Sequence, residues 1–294
     1  MKKKKIDNSN MIRKSTRRWA PLFLWPMFAA FCIGFVWPFA QGLFLSFTKF
    51  KTTSKWTWVG LQNYVKAFAD ESFRYSFGYT AVYAIVSLVL INLLAFLIAY
   101  ALTQKIRGAN LFRTVFFMPN LIGGIVLGYI WNILINCVLS LVGAPLLALN
   151  TSAGYWGMII LMCWQQIGYM MIIYIAGLQS IPNELIEAAR IDGATTWQTL
   201  FQVKIPNVMP SITICLFLTL TNSFKLFDQN LALTGGDPNH ATEMLALNIY
   251  NNFYARSGAA WKGIGQAKAV VFCIMVIAIS MIQLKATRSK EVQQ

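Results

Sequence analysis

Six stretches of this chain stay apolar for long enough to cross a lipid bilayer, and polar segments separate them. They are Pro21–Leu45, Tyr79–Leu102, Thr114–Leu139, Tyr155–Leu178, Val208–Leu226 and Ala267–Leu284. A helix needs about 20 apolar residues to cover the ~30 Å hydrocarbon core. Pro26 and Pro38 interrupt the first stretch, and the fifth has a softer polar end. The first stretch outruns the h-region of a signal peptide, and no small-residue cleavage site follows it, so it is expected to stay as a span. The pattern predicts an all-α integral membrane protein with six transmembrane helices.

Composition supports lipid as the solvent. Hydrophobic residues make up 57% of the 294 positions and charged residues only 12%, against about 25% charged in a soluble domain. The net charge of +15 would suit nucleic acid, but eight of the 25 Lys and Arg crowd into the first 19 residues, directly before the first apolar run. No basic stripe with interleaved aromatics follows. The cluster reads as a topology signal and an anionic-lipid contact, with no nucleic-acid partner. Counting Lys and Arg in the flanks puts sixteen on one side and seven on the other. The positive-inside rule then places both termini in the cytoplasm. The segments Thr48–Phe77 and Asp228–Gly265 fall outside. The first carries Trp56, Trp58, Tyr64 and Phe68 and reads as a short cap near the headgroups. The second is polar and turns at Gly235-Gly236-Asp237-Pro238. Five cysteines lie in apolar stretches without a C-x-x-C spacing, which predicts buried free thiols.

The cytoplasmic segment between the fourth and fifth stretches is too polar to span and too patterned to be a linker. Pro182 suits a first helical turn. Glu184 and Glu187 sit in the positive first turns, and Leu185, Ala188 and Ala189 share a face. Asp192-Gly193 breaks the run, with Gly193 able to close a helix in the left-handed conformation. Thr195 and Gln198 have capping-box spacing. A second short helix would present Trp197, Leu200, Phe201 and Lys204 before Pro206 ends it. Two occupants fit its apolar face: the chain's own helices and headgroups, or a separate protein.

The string Glu187-Ala188-Ala189-Arg190-Ile191-Asp192-Gly193-Ala194, with Pro206 following, resembles the EAA motif of ABC importer permeases, the binding-protein-dependent transport proteins. Val59-Gly60-Leu61-Gln62-Asn63-Tyr64, the Arg113–Pro119 entry to the third helix, and Phe227-Asp228 followed by Leu233-Thr234-Gly235-Gly236 resemble elements of the carbohydrate, maltose-permease-like branch. Asp237, standing between the glycines and Pro238, departs from that pattern. The resemblance implies a type I ABC importer fold with a cytoplasmic EAA coupling-helix loop. It implies that this loop docks on a separate ATPase through Glu187, Ala188, Ala189, Arg190, Asp192, Gly193, Trp197 and Phe201. The large extra external domain of the maltose protein is missing, so maltose is not implied.

Polar groups inside the membrane face a cavity or a partner. The fourth stretch carries Gln165, Gln166 and Tyr169, and the fifth carries Asn222, Ser223 and Lys225. Gln166 and Tyr169 share a face. These groups suit either helix–helix hydrogen bonding or a sugar's hydroxyls, with Tyr169, Phe224 and Trp164 as stacking surfaces. Lys225 has three uses open to it: snorkelling, pairing with Asp228, or meeting substrate. The middle of these two helices lines the sugar site in maltose-type permeases, and Tyr169 falls at a matching position. His240 stands alone in a polar turn and makes no metal centre, and no catalytic constellation is visible. No G-x-x-x-x-G-K-[ST] run occurs, so ATP and Mg are expected on partner subunits and no cofactor on this chain.

The expected organisation is a basic cytoplasmic tail over 1–19, a six-helix permease domain over 20–286 with its coupling loop at 179–207, and a tail over 287–294. The expected function is the permease subunit of an importer in a bacterial plasma (inner) membrane. It would pass a sugar or oligosaccharide delivered by an extracellular binding protein, beside a second permease and two ATPase subunits. Glycerol phosphate or another polar solute is the alternative. An ion-coupled carrier would need intramembrane carboxylates, which the stretches lack.

Overall fold

The computed structural model describes residues 8–289 apart from Lys105 and Ser257, with side chains described from Trp19 onward. The basic cluster Lys2–Lys5, Lys105 and Lys290 therefore lie outside the described residues, as do the side chains of Arg13, Lys14, Arg17 and Arg18. Six helical spans have the length and apolarity to cross a membrane: Trp19–Leu45, Glu71–Thr103, Gly124–Leu141, Thr151–Gln179, Thr196–Phe224 and Ala259–Arg288. The six predicted spans are all present, and the protein is a multi-pass membrane protein.

The first span is α1 (Asn8–Phe31), a π-helical turn at Cys32–Val36, and α2 (Trp37–Leu45). The helix already runs from Asn8, through most of the segment read as a tail. Its apolar side chains point outward, with Phe23 and Met27 each 76% exposed. After it come a hairpin, β1 (Thr48–Thr52) and β2 (Lys55–Trp58), paired antiparallel from Thr48↔Trp58, and a short helix α3 (Gln62–Ala69). These form the predicted cap. The second span, α4 (Glu71–Thr103), starts where the Asp70 side chain accepts a hydrogen bond from the Ser72 N–H at 3.1 Å. That is ordinary N-capping.

The third apolar run is not one helix. It divides into α5 (Ala109–Phe117), a 3₁₀ turn at Met118–Leu121, extended residues at Ile122 and Gly123, and α6 (Gly124–Leu141). Pro119 and the Gly123-Gly124 pair break the ladder. The fourth span, α7 (Thr151–Gln179), lies at the centre of the bundle, and Asn150 caps it through the Ala153 N–H. Tyr83 on α4 donates to the Met158 carbonyl at 3.2 Å, and Tyr174 on α7 donates to Asn92 Oδ1 at 2.8 Å. Asn92 passes the bond on to Thr219 Oγ1 at 3.2 Å, tying in the fifth span. Polar groups here join helices, as they do where lipid supplies no hydrophobic drive.

The remaining elements are α8 (Asn183–Ile191), α9 (Thr196–Gln198), a π-helical turn at Thr199–Lys204, α10 (Ile205–Phe224), α11 (Asp228–Leu233), α12 (Leu245–Tyr254) and α13 (Ala259–Arg288). Two readings change here. Pro206 does not end the second loop helix, because α9 runs through the π turn into α10. A proline ring collides with the carbonyl four residues earlier. The residue four before Pro206, Gln202, lies within the π turn, and Gly34, four before Pro38, lies within the other. In both places the chain widens by a residue instead of stopping. Second, Asp228–Gly265 is no plain polar segment. Asn230, Ala232 and Leu233 of α11 are buried, and Gly128 on α6 lies so close to Ala232 that an added Cβ would collide with it. All five cysteines are free, as expected, but only Cys215 is buried and Cys137 is exposed.

Candidate functional site

The break between α5 and α6 and the break between α10 and α11 meet at the middle of α7. Gln165, only 5% exposed, donates to the Ile122 carbonyl at 3.2 Å, inside the first break. Its Oε1 accepts from Gln229 Nε2 at 2.7 Å, just past the second. Gly124 approaches Asp228 and Gln229 so closely that a Cβ would sit 2.9 Å from the Asp228 Cβ. Irregular backbone at membrane depth persists only where protein or a cavity supplies its hydrogen bonds, and Gln165 supplies one here.

Beside this junction is a hollow of 260 Å³ lined by Met162, Gln166, Asn222, Lys225, Leu226, Phe227, Asp228 and Gln229. Asn222 Nδ2 donates to Gln166 Oε1 at 3.4 Å across it. Lys225 and Asp228 are both exposed on its wall, and among the described residues no ion pair joins them. Amide donors and acceptors, one cation and one carboxylate can together bind a hydroxyl-rich solute.

The residues singled out in the sequence divide. Gln166, Asn222 and Lys225 come together in the hollow. Gln165 stands behind it and orients Gln229. Ser223 is 0% exposed, and its hydroxyl donates to the Thr219 carbonyl at 2.8 Å, so it faces away. Tyr169 is half-buried against the main core and is not on the hollow's wall. Phe224 is buried with Ala84, Leu220 and Val276, and Trp164 packs edge-on to Trp131 with centroids 5.6 Å apart, so neither offers a stacking face to the hollow. Phe227, Asp228 and Gln229 line it and escaped the sequence reading. The sequence marks Phe227-Asp228 as a family element and Asp228 as a partner open to Lys225, and places neither residue at the site.

The loop after α7 has the expected local structure. Pro182 caps α8 rather than opening its first turn, and Gly193 has φ +79°. Thr195 accepts from the Gln198 N–H at 3.3 Å, and Gln198 Oε1 accepts from the Thr195 N–H at 2.7 Å, completing the capping box. Glu187, Ala188, Arg190, Asp192 and Gly193 are exposed, and Ala189 is half-exposed. Ile191 is 86% exposed, Trp197 70% and Phe201 59%, the last two with stacked rings 6.0 Å apart. Leu200, expected on the same face, is instead buried within the chain, while Ile191, Trp197 and Phe201 find no cover among the described residues. Lys204 sits over the Tyr100 ring at 4.8 Å, holding the loop's far end against α4.

Residues 109–286 match the family model described as "binding-protein-dependent transport system inner membrane component". The chain belongs to this family. Members are transport components, and this inner membrane component is a permease subunit of an ABC importer, with ATPase activity carried by partner subunits. Its relatives include the probable starch degradation products transport system permease protein AmyD of Thermoanaerobacterium thermosulfurigenes, 41% identical over 94% of this chain and 96% of that one. The multiple sugar-binding transport system permease protein MsmF of Streptococcus mutans is 35% identical over 88% and 91%. The sn-glycerol-3-phosphate permease UgpA of Brucella abortus is 30% identical over 90% and 93%. Among solved structures, a chain of a bacterial ABC transporter involved in import of the acidic polysaccharide alginate superposes with TM-score 0.79, covering 95% of this inner membrane component and 99% of that chain at 20% identity. At that identity the likeness is one of fold.

Proposed function

We propose that this permease subunit passes a sugar or short oligosaccharide, and that the hollow between the two helix breaks is where its chain touches the solute. The observation that carries the reading is the gathering of Gln166, Asn222, Lys225, Asp228 and Gln229 around one opening where α10 gives way to α11 beside the middle of α7. Secondary transporters hold substrate beside broken helices, and backbone that leaves a helix inside a bundle persists where it lines a cavity. Asp228 balances the charge of Lys225 on the same wall, which suits a neutral polyol better than an anion such as glycerol phosphate. The hollow is smaller than the ~300–1,000 Å³ of pockets that enclose drug-sized ligands. One chain thus supplies one wall, and a second permease supplies the other.

The remaining partners follow from the loop and the flanks. Of two ATPase subunits, which hold the ATP and Mg, one docks on the exposed face of Leu185, Ile191, Trp197 and Phe201, with Glu187 and Arg190 at its edge, and the other docks on the second permease. Both termini lie in the cytoplasm of a bacterium, by the count of Lys and Arg. An extracellular binding protein delivers the solute from the opposite side. The permease domain over 20–286 and its coupling loop over 179–207 stand as the working division of the chain.

Gln166→Ala and Asn222→Ala each remove a hydrogen-bonding group worth about 0.5–1.5 kcal/mol, or about two- to tenfold in solute affinity. Uptake of labelled oligosaccharides by the reconstituted complex should fall by that factor in each variant. Assembly with the ATPase subunits should stay intact. Unchanged uptake in both variants refutes the site.

A further inference from the structure

Between the first and second spans, the cap presents an apolar surface to the outside of the protein. Leu61, directly before α3, and Val65 and Phe68 on it recur at i, i+4 and i+7 and are 65%, 67% and 55% exposed. The opposite face of α3 is tied down. Asn63 Nδ2 donates to the Ser46 and Thr48 carbonyls at 2.8 Å each, Ala67 is 0% exposed, and a Cβ on Gly263 of α13 would collide with the Thr48 carbonyl. The helix therefore cannot roll to hide its stripe. Trp56 and Trp58, 46% and 60% exposed, extend the surface along the hairpin. Both pack on Phe44 of α2, with centroids 5.0 and 6.0 Å away. Phe44 belongs to the first span, so the cap's surface continues the span's lipid-facing side without a step.

Two further facts select the occupant. The chain from Ser46 to Ala69 holds Lys49, Lys51, Lys55 and Lys66 and no carboxylate. The cap is also tethered at both ends at the membrane border. β1 begins three residues after Leu45, and Asp70, directly after α3, caps the second span. We propose that α3 and the tip of the β1–β2 hairpin are a docking surface for phospholipid headgroups of the adjoining leaflet. The stripe Leu61, Val65 and Phe68 enters the acyl boundary, the two tryptophans sit at headgroup depth, and the lysines meet the phosphates. This is how amphipathic helices with aromatic and basic residues lie in an interface. The surface fixes the height of the outer ends of α2 and α4 in the bilayer.

The test places p-benzoylphenylalanine at Val65, and separately at Phe68, in the full chain assembled with its co-purifying subunits. The complex is held in nanodiscs of phosphatidylethanolamine and phosphatidylglycerol. After illumination, mass spectrometry of the labelled peptide should find phospholipid adducts at both positions. The yield should be comparable to a photoprobe at Ile85, which is 61% exposed on the second span, α4. Phosphatidylglycerol should be over-represented among the adducts relative to its fraction in the disc. Replacing the four lysines by glutamine should remove that enrichment. Adducts to a polypeptide would overturn the proposal in favour of a protein partner. A lack of adducts at both cap positions while Ile85 labels would overturn it in favour of water. Should one photoprobe variant fail to assemble, the other poses the same question.

Discussion

Asp70 and Lys268 form a buried ion pair where α13 meets the start of α4. Lys268 is fully buried on α13, and its Nζ donates to Asp70 Oδ2 at 2.7 Å and to Asn248 Oδ1 at 3.1 Å. Arg256 reaches the same Asp70 oxygen at 3.3 Å, and Asn248 donates onward to Ser72 Oγ at 2.8 Å. At an effective dielectric of 20, charges 2.7 Å apart attract by about 6 kcal/mol. Desolvation takes several kcal/mol per ion, so the intact pair is worth little net. Breaking it from one side is costly, and the two sides differ. Asp70→Asn leaves the Lys268 side chain, 0% exposed, with the Asn248 amide oxygen and the Phe73 ring at 5.1 Å. That should destabilise by about 3–5 kcal/mol. Asparagine still caps a helix, so α4 keeps its start. Lys268→Met leaves Asp70 with Arg256, the Ser72 N–H and 16% of its side chain in contact with solvent. That should destabilise by about 1–3 kcal/mol. The double variant should be no worse than Asp70→Asn alone, because the stranded ammonium is gone.

Unfolding free energies from sodium dodecyl sulfate titrations in mixed micelles, read by circular dichroism, measure all three. An additive double variant refutes the reasoning, as does a Lys268→Met that costs more than Asp70→Asn. Acid supplies a second arm. Burial pushes the Asp70 carboxyl up, while the Lys268 hydrogen bond and charge, the Arg256 charge and the Ser72 N–H push it down and prevail. A carboxyl lowered in the folded state contributes stability at every pH above its unfolded value, about 4. That stability is lost as pH falls through the lower folded value. The ion pair's contribution should therefore be flat from about pH 8 to pH 5 and fade only below about pH 4, and Asp70→Asn should lack that acid limb.

Two other outcomes are expected. Gly168→Ala puts a methyl group onto the Phe116 carbonyl where α5 crosses α7. It should cost about 1–3 kcal/mol or more, read as lost monodisperse yield in detergent, while Gly34→Ala, which meets nothing within 4 Å, should not. At the loop, Glu187→Lys reverses an exposed charge, and Gly193→Pro forbids the φ of +79°. Either should reduce co-purification of the ATPase subunits or uncouple their hydrolysis from uptake. Persistence of both binding and uptake would make the loop a mere surface element.

The six spans were legible because hydropathy reports the solvent that each stretch meets. The loop between the fourth and fifth was legible because caps are local chemistry: Thr195, Gln198 and Gly193 act within a few residues of themselves. The break at Met118–Gly123 escaped, since Ile122 and Leu121 are as apolar in a turn as in a helix. Hydropathy carries no backbone dihedral, and only Pro119 with Gly123-Gly124 signalled it. The ion pair escaped for a different reason. Asp70 and Lys268 are 198 residues apart, and nothing local to either says that they meet.

The candidate site was half legible, and helix geometry explains which half. Neighbouring residues on a helix point about 100° apart, so an adjacent polar pair inside a packed helix tends to send its two members to different surroundings. Gln165 and Gln166 are such a pair, and so are Asn222 and Ser223. In each, one member reaches the hollow and the other turns to structure: Gln165 to the Ile122 carbonyl, Ser223 to the Thr219 carbonyl. A sequence shows the pair but not the rotation of the helix about its axis, which packing of α7 and α10 against α4 decides. The residues that were missed lie where a helix stops. Phe227, Asp228 and Gln229 reach the hollow because α10 ends at Phe224 and the chain restarts at Asp228 in a new direction. Removing that restart by making Lys225–Phe227 helical would carry Asp228 and Gln229 about 100° further per residue around α10. The Gln165–Gln229 bond, which joins the two breaks, would then be lost with the wall it supports.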